Sequence, residues 1–194
     1  MNIKEGIEKR FSVRAFTDEV PSMNKIKEIL IMAGSAPSGG NIQPWKVYVL
    51  NEESKKKLAE KTLNNFDTGV QEEIEYEIYP KPLADEYKTR RYECGADMYE
   101  ALSIEKDDLD SRFKQIRENY NFFGAPLGMI ITIDRSFGSN GWGHVGMFLE
   151  NLWLSAIHHG LGLCLQESWS IYPKTVKEAI NCLLYTSPSP RDLM

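Results

Sequence analysis

Apolar positions recur at helical spacing through Met23, Ile26, Ile29, Leu30 and Ala33, behind a Ser22 able to cap the helix they predict. The period then changes. Gly34 to Gly40 breaks the helix, Trp45 to Leu50 reads as a buried strand, and Glu52 to about Phe66 reads as a solvated helix with the stripe Leu58, Thr62 and Phe66. A short helix over residues 2–9 and an extended segment at Phe11–Phe16 come before these. From Asp67 to Tyr87 the chain is polar, tyrosine-rich and broken by Pro80 and Pro82, the character of an insertion or lid more than of scaffold. Arg90–Leu102 and Asp107–Asn121 read as helices around a turn at Ser103–Lys106, and Leu127–Ile133 reads as a strand. Gly146–His159 is apolar on almost every side, which predicts a helix buried in the domain or at a subunit contact. Gly160 and Gly162 end it, Leu161–Leu165 reads as another short strand, and Pro173 opens a helix to about Ile180. Helices alternating with apolar strands predict an α/β or α+β sandwich, without internal repeats.

Composition narrows the function classes. With 194 residues, 42% hydrophobic and 26% charged, the chain suits one domain with a sizeable core. A net charge of −5 argues against a nucleic-acid binder, and Lys55-Lys56-Lys57 reads as a solvated helix face. The N-terminus lacks the apolar core of a signal peptide, and no stretch approaches the roughly 20 apolar residues that span a bilayer, so a cytoplasmic protein is expected. Cys94, Cys164 and Cys182 form no metal-like cluster with His144, His158 and His159, so reduced thiols and no zinc site are expected. His158 and His159 read as a helix-dipole partner and a packed side chain.

Two constellations carry candidate chemistry. In an extended Arg10-Phe11-Ser12-Val13-Arg14 the side-chain period of two puts both guanidiniums and the hydroxyl on one face, with Phe11 and Val13 turned to the core. That face suits a phosphate, although an ordinary exposed strand face has the same composition. The second is Pro37-Ser38-Gly39-Gly40-Asn41-Ile42-Gln43-Pro44-Trp45, where flexible backbone brings small polar side chains and an aromatic ring to one edge of the core. Asn41 and Gln43 each offer a donor and an acceptor, the complement of a flat ring edge with alternating carbonyl and NH groups. A plain turn between helix and strand is the competing reading.

RFSVRAFTDEVP, APSGGNIQPWKVYVL, FFGAP and GMFLENLWLSAIHHGLGLCLQES, in that order, resemble the nitroreductase family of flavin enzymes over about residues 7–181. LCLQESWSIYP is most similar to the nitrobenzoate-reductase-like branch, where Cys-Pro-Gln is usual and this chain has Cys164-Leu165-Gln166. The resemblance implies an α+β three-layer sandwich, a central and mainly antiparallel sheet flanked by helices. It also implies an intertwined homodimer with FMN at each end of its interface. Hydride would come from NADH or NADPH and pass to nitroaromatics, quinones or related acceptors by a ping-pong route. Arg10, Ser12 and Arg14 would then hold the phosphate, ribityl chain and pyrimidine edge. Pro37, Ser38, Asn41 and Gln43 would reach the flavin from the partner subunit, and the backbone of Leu165, Gln166 and Glu167 would lie beside its reactive edge. No side chain is assigned as catalytic, because the flavin does the chemistry. Tyr76, Tyr79 and Phe123 are candidate acceptor contacts. Alternatives on the same fold are dehalogenation, flavin fragmentation, azoline oxidation, or flavin binding without catalysis.

The chain departs from the family pattern at His144, where an aspartate is common, and at Leu165. Its last stretch, from Cys182 through Ser187-Pro-Ser-Pro190 to Asp192, is similar to a translated sequencing-library adapter. Residues 1–181 would then be the FMN-binding domain and residues 182–194 an artefactual tail in place of the natural C-terminal strand, basic residue and partner-wrapping arm. Weak FMN binding and poor dimerisation are expected of such a chain.

Overall fold

In the computed structural model, which describes residues 2–181, a thin sheet forms the middle layer. Its strands are β1 (Trp45–Leu50) and β2 (Gly128–Ile133), paired antiparallel with Trp45 opposite Ile133 and Leu50 opposite Gly128. Side chains alternate across it, as the strand period of two requires. Tyr48, Leu50 and Ile130 point to one face, into a core with Leu58, Tyr120, Phe122, Trp169, Tyr172, Val176 and Ile180. Trp45, Val47, Val49, Met129 and Ile131 point to the other, against Ile26, Ile29, Leu30, Ala33, Phe148 and Leu152.

Each face is covered by helices whose stripes the sequence already displays. On the first lie α3 (Glu52–Asp67) and α7 (Pro173–Asn181), on the second α2 (Met23–Gly34) and α6 (Gly138–His158), so the α+β three-layer arrangement is present. Ser22 accepts from the Lys25 amide and caps α2, and Asn51 caps α3 through the Ser54 amide. Phe148, 1% exposed, stacks on Trp45 with centroids 4.9 Å apart and joins α6 to the sheet. The remaining helices are α1 (Ile3–Lys9), α4 (Asp85–Ala101) and α5 (Leu109–Arg117).

Several boundaries differ from the pattern-based reading. α6 begins eight residues before Gly146, because the glycines and polar residues of its first turns hid it from the apolar pattern. α4 begins at Asp85, and α5 ends at Arg117, where a 3-10 segment carries Phe122 and Phe123 at positive φ. Leu161–Leu165 forms no ladder among the described residues. It runs beside Phe11–Phe16, and among the described residues one backbone hydrogen bond joins the two, the Val13 amide donating to the Leu163 carbonyl. One bond imposes no alternation on the earlier segment: Val13 packs inward as expected, whereas Phe11 is 66% exposed rather than in the core. The expectation for residues 182–194 lies outside the described residues.

The segment after α3 is not the loose lid its composition suggested. Glu72 accepts from the Lys174 and Thr175 amides and the Thr175 hydroxyl, capping α7 from a distance where Pro173 has no N–H to offer. Glu75 pairs with Lys177 and Arg135, and Asp67 takes a two-pronged contact from Arg117. Tyr76 meets Trp142 edge-on at 4.8 Å. Polar residues there work as a strap.

Candidate functional site

The α1–β1 connections and the segment after α6 build two separate clusters. In the first, Arg10 lies over the Trp153 ring of α6 at 4.4 Å and Arg14 over the Phe123 ring at 5.8 Å. Neither guanidinium has a carboxylate partner among the described residues, and the Ser12 hydroxyl bonds to none of them either. Trp153 Nε1, beside Arg10, is buried without a partner. Gly162 lets Phe11–Phe16 approach this closely, since a Cβ there would lie 2.8 Å from Val13 Cγ2.

The loop that follows completes this cluster. Among the described residues, none of the amides of Cys164, Leu165, Gln166 and Glu167 donates a hydrogen bond. The Gln166 side chain is occupied, donating to the Asn119 carbonyl at 2.8 Å and accepting from Trp169 Nε1 at 3.3 Å, so this loop offers backbone rather than that side chain. Burial pushes the Cys164 thiol above its usual range, with the Arg14 charge pulling the other way, so Arg14 and the loop share one electrostatic environment. Tyr76 lies near the same loop: burial raises its phenol above the usual range, and the Glu167 charge adds to the rise. Phe123, expected as an acceptor contact, is 7% exposed and forms a platform under Arg14 instead.

The second cluster is the loop after α2. Gly40, Asn41 and Gln43 have φ of 58°, 54° and 45°, left-handed positions on either side of a right-handed Ile42 at φ −75°. The Ser38 hydroxyl accepts from the Gln43 amide at 2.9 Å, and Gln43 Nε2 donates to Asn41 Oδ1 at 3.1 Å. That last bond leaves the Gln43 side-chain oxygen and the Asn41 NH₂ without a hydrogen bond among the described residues, while Pro37 is exposed at the loop's start. Beneath it lies His144, whose Nε2 is 3.5 Å from where a Gly39 Cβ would be and whose Nδ1 is buried without a partner.

Within one chain these clusters do not meet. His144 and Trp153 are nine residues apart on α6, which separates them by about 13 Å along the axis and about half a turn around it. No described contact links Arg10, Ser12 or Arg14 to Pro37, Ser38, Asn41 or Gln43. Sequence reasoning singled out both loops but missed their supports, Trp153, Asn119 and the strap. No local pattern marks which face of an all-apolar helix a distant arginine will cover.

The donor set of the first cluster suits an anionic group joined to a flat ring carrying acceptors: among the described residues, two guanidiniums without carboxylates, an unbonded hydroxyl and a row of unbonded amides. The profile of the Nitroreductase family matches residues 7–184. The chain belongs to the nitroreductase family. Among its relatives, this nitroreductase is 31% identical over 180 residues to the nitrobenzene nitroreductase of Ectopseudomonas oleovorans, covering 92% of this chain and 79% of the relative. It is 33% identical over 174 residues to the 4-nitrobenzoate reductase of Nocardioides sp. (strain LMS-CY), covering 88% and 70%. The crystal structure of the FMN and NADPH-dependent nitroreductase NfnB from Sphigopyxis sp. strain HMH superposes with a TM-score of 0.89 at 34% identity, covering 93% of this chain and 82% of that one. The FMN-dependent NfnB from Mycobacterium smegmatis, solved in complex with NADPH, superposes with a TM-score of 0.86 at 26% identity, covering 92% and 80%. Among the described residues no helix is long and apolar enough to cross a membrane, and no group of His, Cys, Asp and Glu could hold a metal ion.

Proposed function

We propose that this nitroreductase binds FMN and passes electrons from NADH or NADPH to nitroaromatics, quinones or similar acceptors in a ping-pong cycle. One observation carries the reading: among the described residues Arg10 and Arg14 have no carboxylate partner and the amides of residues 164–167 donate no hydrogen bond, on two segments joined by the Val13 amide and the Leu163 carbonyl. Arg10, Ser12 and Arg14 hold the phosphate, ribityl chain and pyrimidine edge. The amides of Leu165, Gln166 and Glu167 donate along the reactive edge, where preorganised donors favour the electron density that develops on reduction. The chemistry FMN supplies is two-electron exchange between nicotinamide and acceptor, so the chain contributes binding, orientation and electrostatics. Relatives acting on nitrobenzene and 4-nitrobenzoate make a nitroaromatic the first acceptor to try.

A second copy of the chain completes the pocket in this reading. Pro37, Ser38, Asn41 and Gln43 lie away from the arginine face of their own chain, so they serve the other copy's flavin. Exposed apolar side chains suit such a contact, Ile3 at 79% and Phe11 at 66% among them, with Ile31, Met32, Ile42 and Trp142. The cytoplasm, which supplies nicotinamide donors and keeps thiols such as the unpaired Cys94 and Cys164 reduced, is the compartment proposed. Residues 1–181 form the flavin domain here.

Anaerobic titration tests this. NADH or NADPH should bleach the flavin band of the FMN-loaded protein, and 4-nitrobenzoate should restore it without added oxygen. A bound flavin that neither donor reduces would overturn the reductase reading and leave a flavin binder. Repeating the titration with residues 182–194 exchanged for a relative's C-terminal segment tests the adapter-like reading of the tail, which predicts tighter flavin binding after the exchange.

A further inference from the structure

α4 carries no buried residue, yet its side facing α5 and the Ser103–Lys106 turn lines a cleft of about 670 Å³, a volume ordinary for small-molecule sites. Tyr92, Gly95, Ala96 and Tyr99 fall at positions i, i+3, i+4 and i+7, so they share one helix face. The tyrosines stand about 10 Å apart along the axis. Between them the floor is low, and a Cβ on Gly95 would meet nothing within 4 Å. That is a slot for a flat ring.

Its charge is specific too. Lys88, Arg91, Lys106 and Arg112 line the cleft against Glu100 and Glu105. Lys88 pairs with Asp85, but Arg91, Lys106 and Arg112 form no ion pair among the described residues. They rest on rings instead: Arg91 over Tyr79 at 4.4 Å, Lys106 over Tyr92 at 6.0 Å and Arg112 over Tyr99 at 4.2 Å. Arg112 Nε is buried without a hydrogen-bond partner, an unusual condition for a guanidinium in a scaffold role. Elsewhere in this chain Arg117 and Arg135 sit on carboxylates.

We propose that the α4–α5 cleft is a second ligand site, taking a planar aromatic carboxylate whose ring lies over Gly95 and Ala96 and whose oxygens reach Arg112. Arginine's planar fork matches a carboxylate's two oxygens, and the tyrosine faces match a ring. The cleft shares no residue with Arg10–Arg14, Pro37–Gln43 or residues 164–167, so it stands or falls apart from the flavin reading.

The probe is 2-naphthoate, which carries no reducible nitro group, titrated calorimetrically into the FMN-loaded protein beside its neutral counterpart 2-naphthamide. The naphthoate should bind at least tenfold tighter than the amide. Arg112→Gln should weaken it about tenfold or more. Gly95→Leu, which fills the slot from a half-buried helix position where a Cβ meets nothing within 4 Å, should abolish it while leaving the melting temperature within a few degrees, and it decides the matter if Arg112→Gln fails to fold. Kept loaded by saturating FMN, the Arg10→Gln/Arg14→Gln double variant should bind naphthoate as the unaltered chain does. Equal affinity for acid and amide, an unchanged isotherm in Gly95→Leu, or loss of binding only in the double variant would each overturn the proposal.

Discussion

Two irregular regions of this nitroreductase use their polar groups in opposite ways. In the strap at residues 67–84, Asp67, Glu72 and Glu75 are all matched, to Arg117, to the first amides of α7, and to Lys177 and Arg135. Along residues 10–14 and 164–167, Arg10, Arg14, Ser12 and a run of amides have no polar partner among the described residues. Folding leaves few polar groups unmatched unless water or a ligand takes them. The matched segment therefore reads as scaffold and the unmatched one as a binding face.

The strongest break of that contrast is Arg10→Gln with Arg14→Gln. Each charged hydrogen bond to an anion contributes about 1.5–3 kcal/mol, so FMN affinity should fall by roughly 100-fold or more. Thermal stability should barely change, since neither guanidinium leaves a carboxylate unpaired. Flavin fluorescence titration together with a melting curve reads both. A large fall in melting temperature would show that these arginines belong to the scaffold after all.

Removing a strap residue should do the reverse. Glu72→Ala strips the first turn of α7 of its cap, and loss of such a cap costs about 0.5–2 kcal/mol. The variant should melt earlier and bind FMN with its affinity little changed. If affinity fell as much as stability, the strap would have to be counted as part of the site through Tyr76, whose phenol lies near Glu167.

The sequence made the layers legible but not this contrast. Helix stripes at Ile26, Ile29, Leu30 and Ala33 and strand alternation in Trp45–Leu50 translate directly into the two cores, because burial there follows from local period. Residues 10–14 and 37–43 stood out by their donors and glycines, with plain strand and turn readings beside them, and residues 165–167 came only with the family resemblance. Their separation into two clusters about 13 Å apart along α6 was not legible, since it depends on which face of a long apolar helix each loop crosses. The strap was misread for a related reason: polar composition is the same whether a glutamate faces water or caps a helix 102 residues away. Phe11 failed differently, as alternation holds only where a ladder enforces it.

The smallest effect sharpens the contrast through pH. Hydrogen bonding to Lys177, with Arg135 adding to it, holds the Glu75 carboxyl below its ordinary range against the opposing cost of burial. A carboxylate lowered in the folded state adds stability that is fully present above its unfolded value and is lost as pH falls through the folded one. Glu75→Gln should therefore lower stability by about 1 kcal/mol or less near neutrality, as expected for a partly exposed ion pair. That deficit should shrink as pH drops below about 4, where the unaltered chain loses the same contribution. Urea melts of both proteins across the acid range would measure it. FMN affinity over the same range should not follow the Glu75 deficit, because no carboxylate among the described residues pairs with Arg10 or Arg14. An affinity profile that tracked the stability profile would mean that the strap and the binding face respond as one unit.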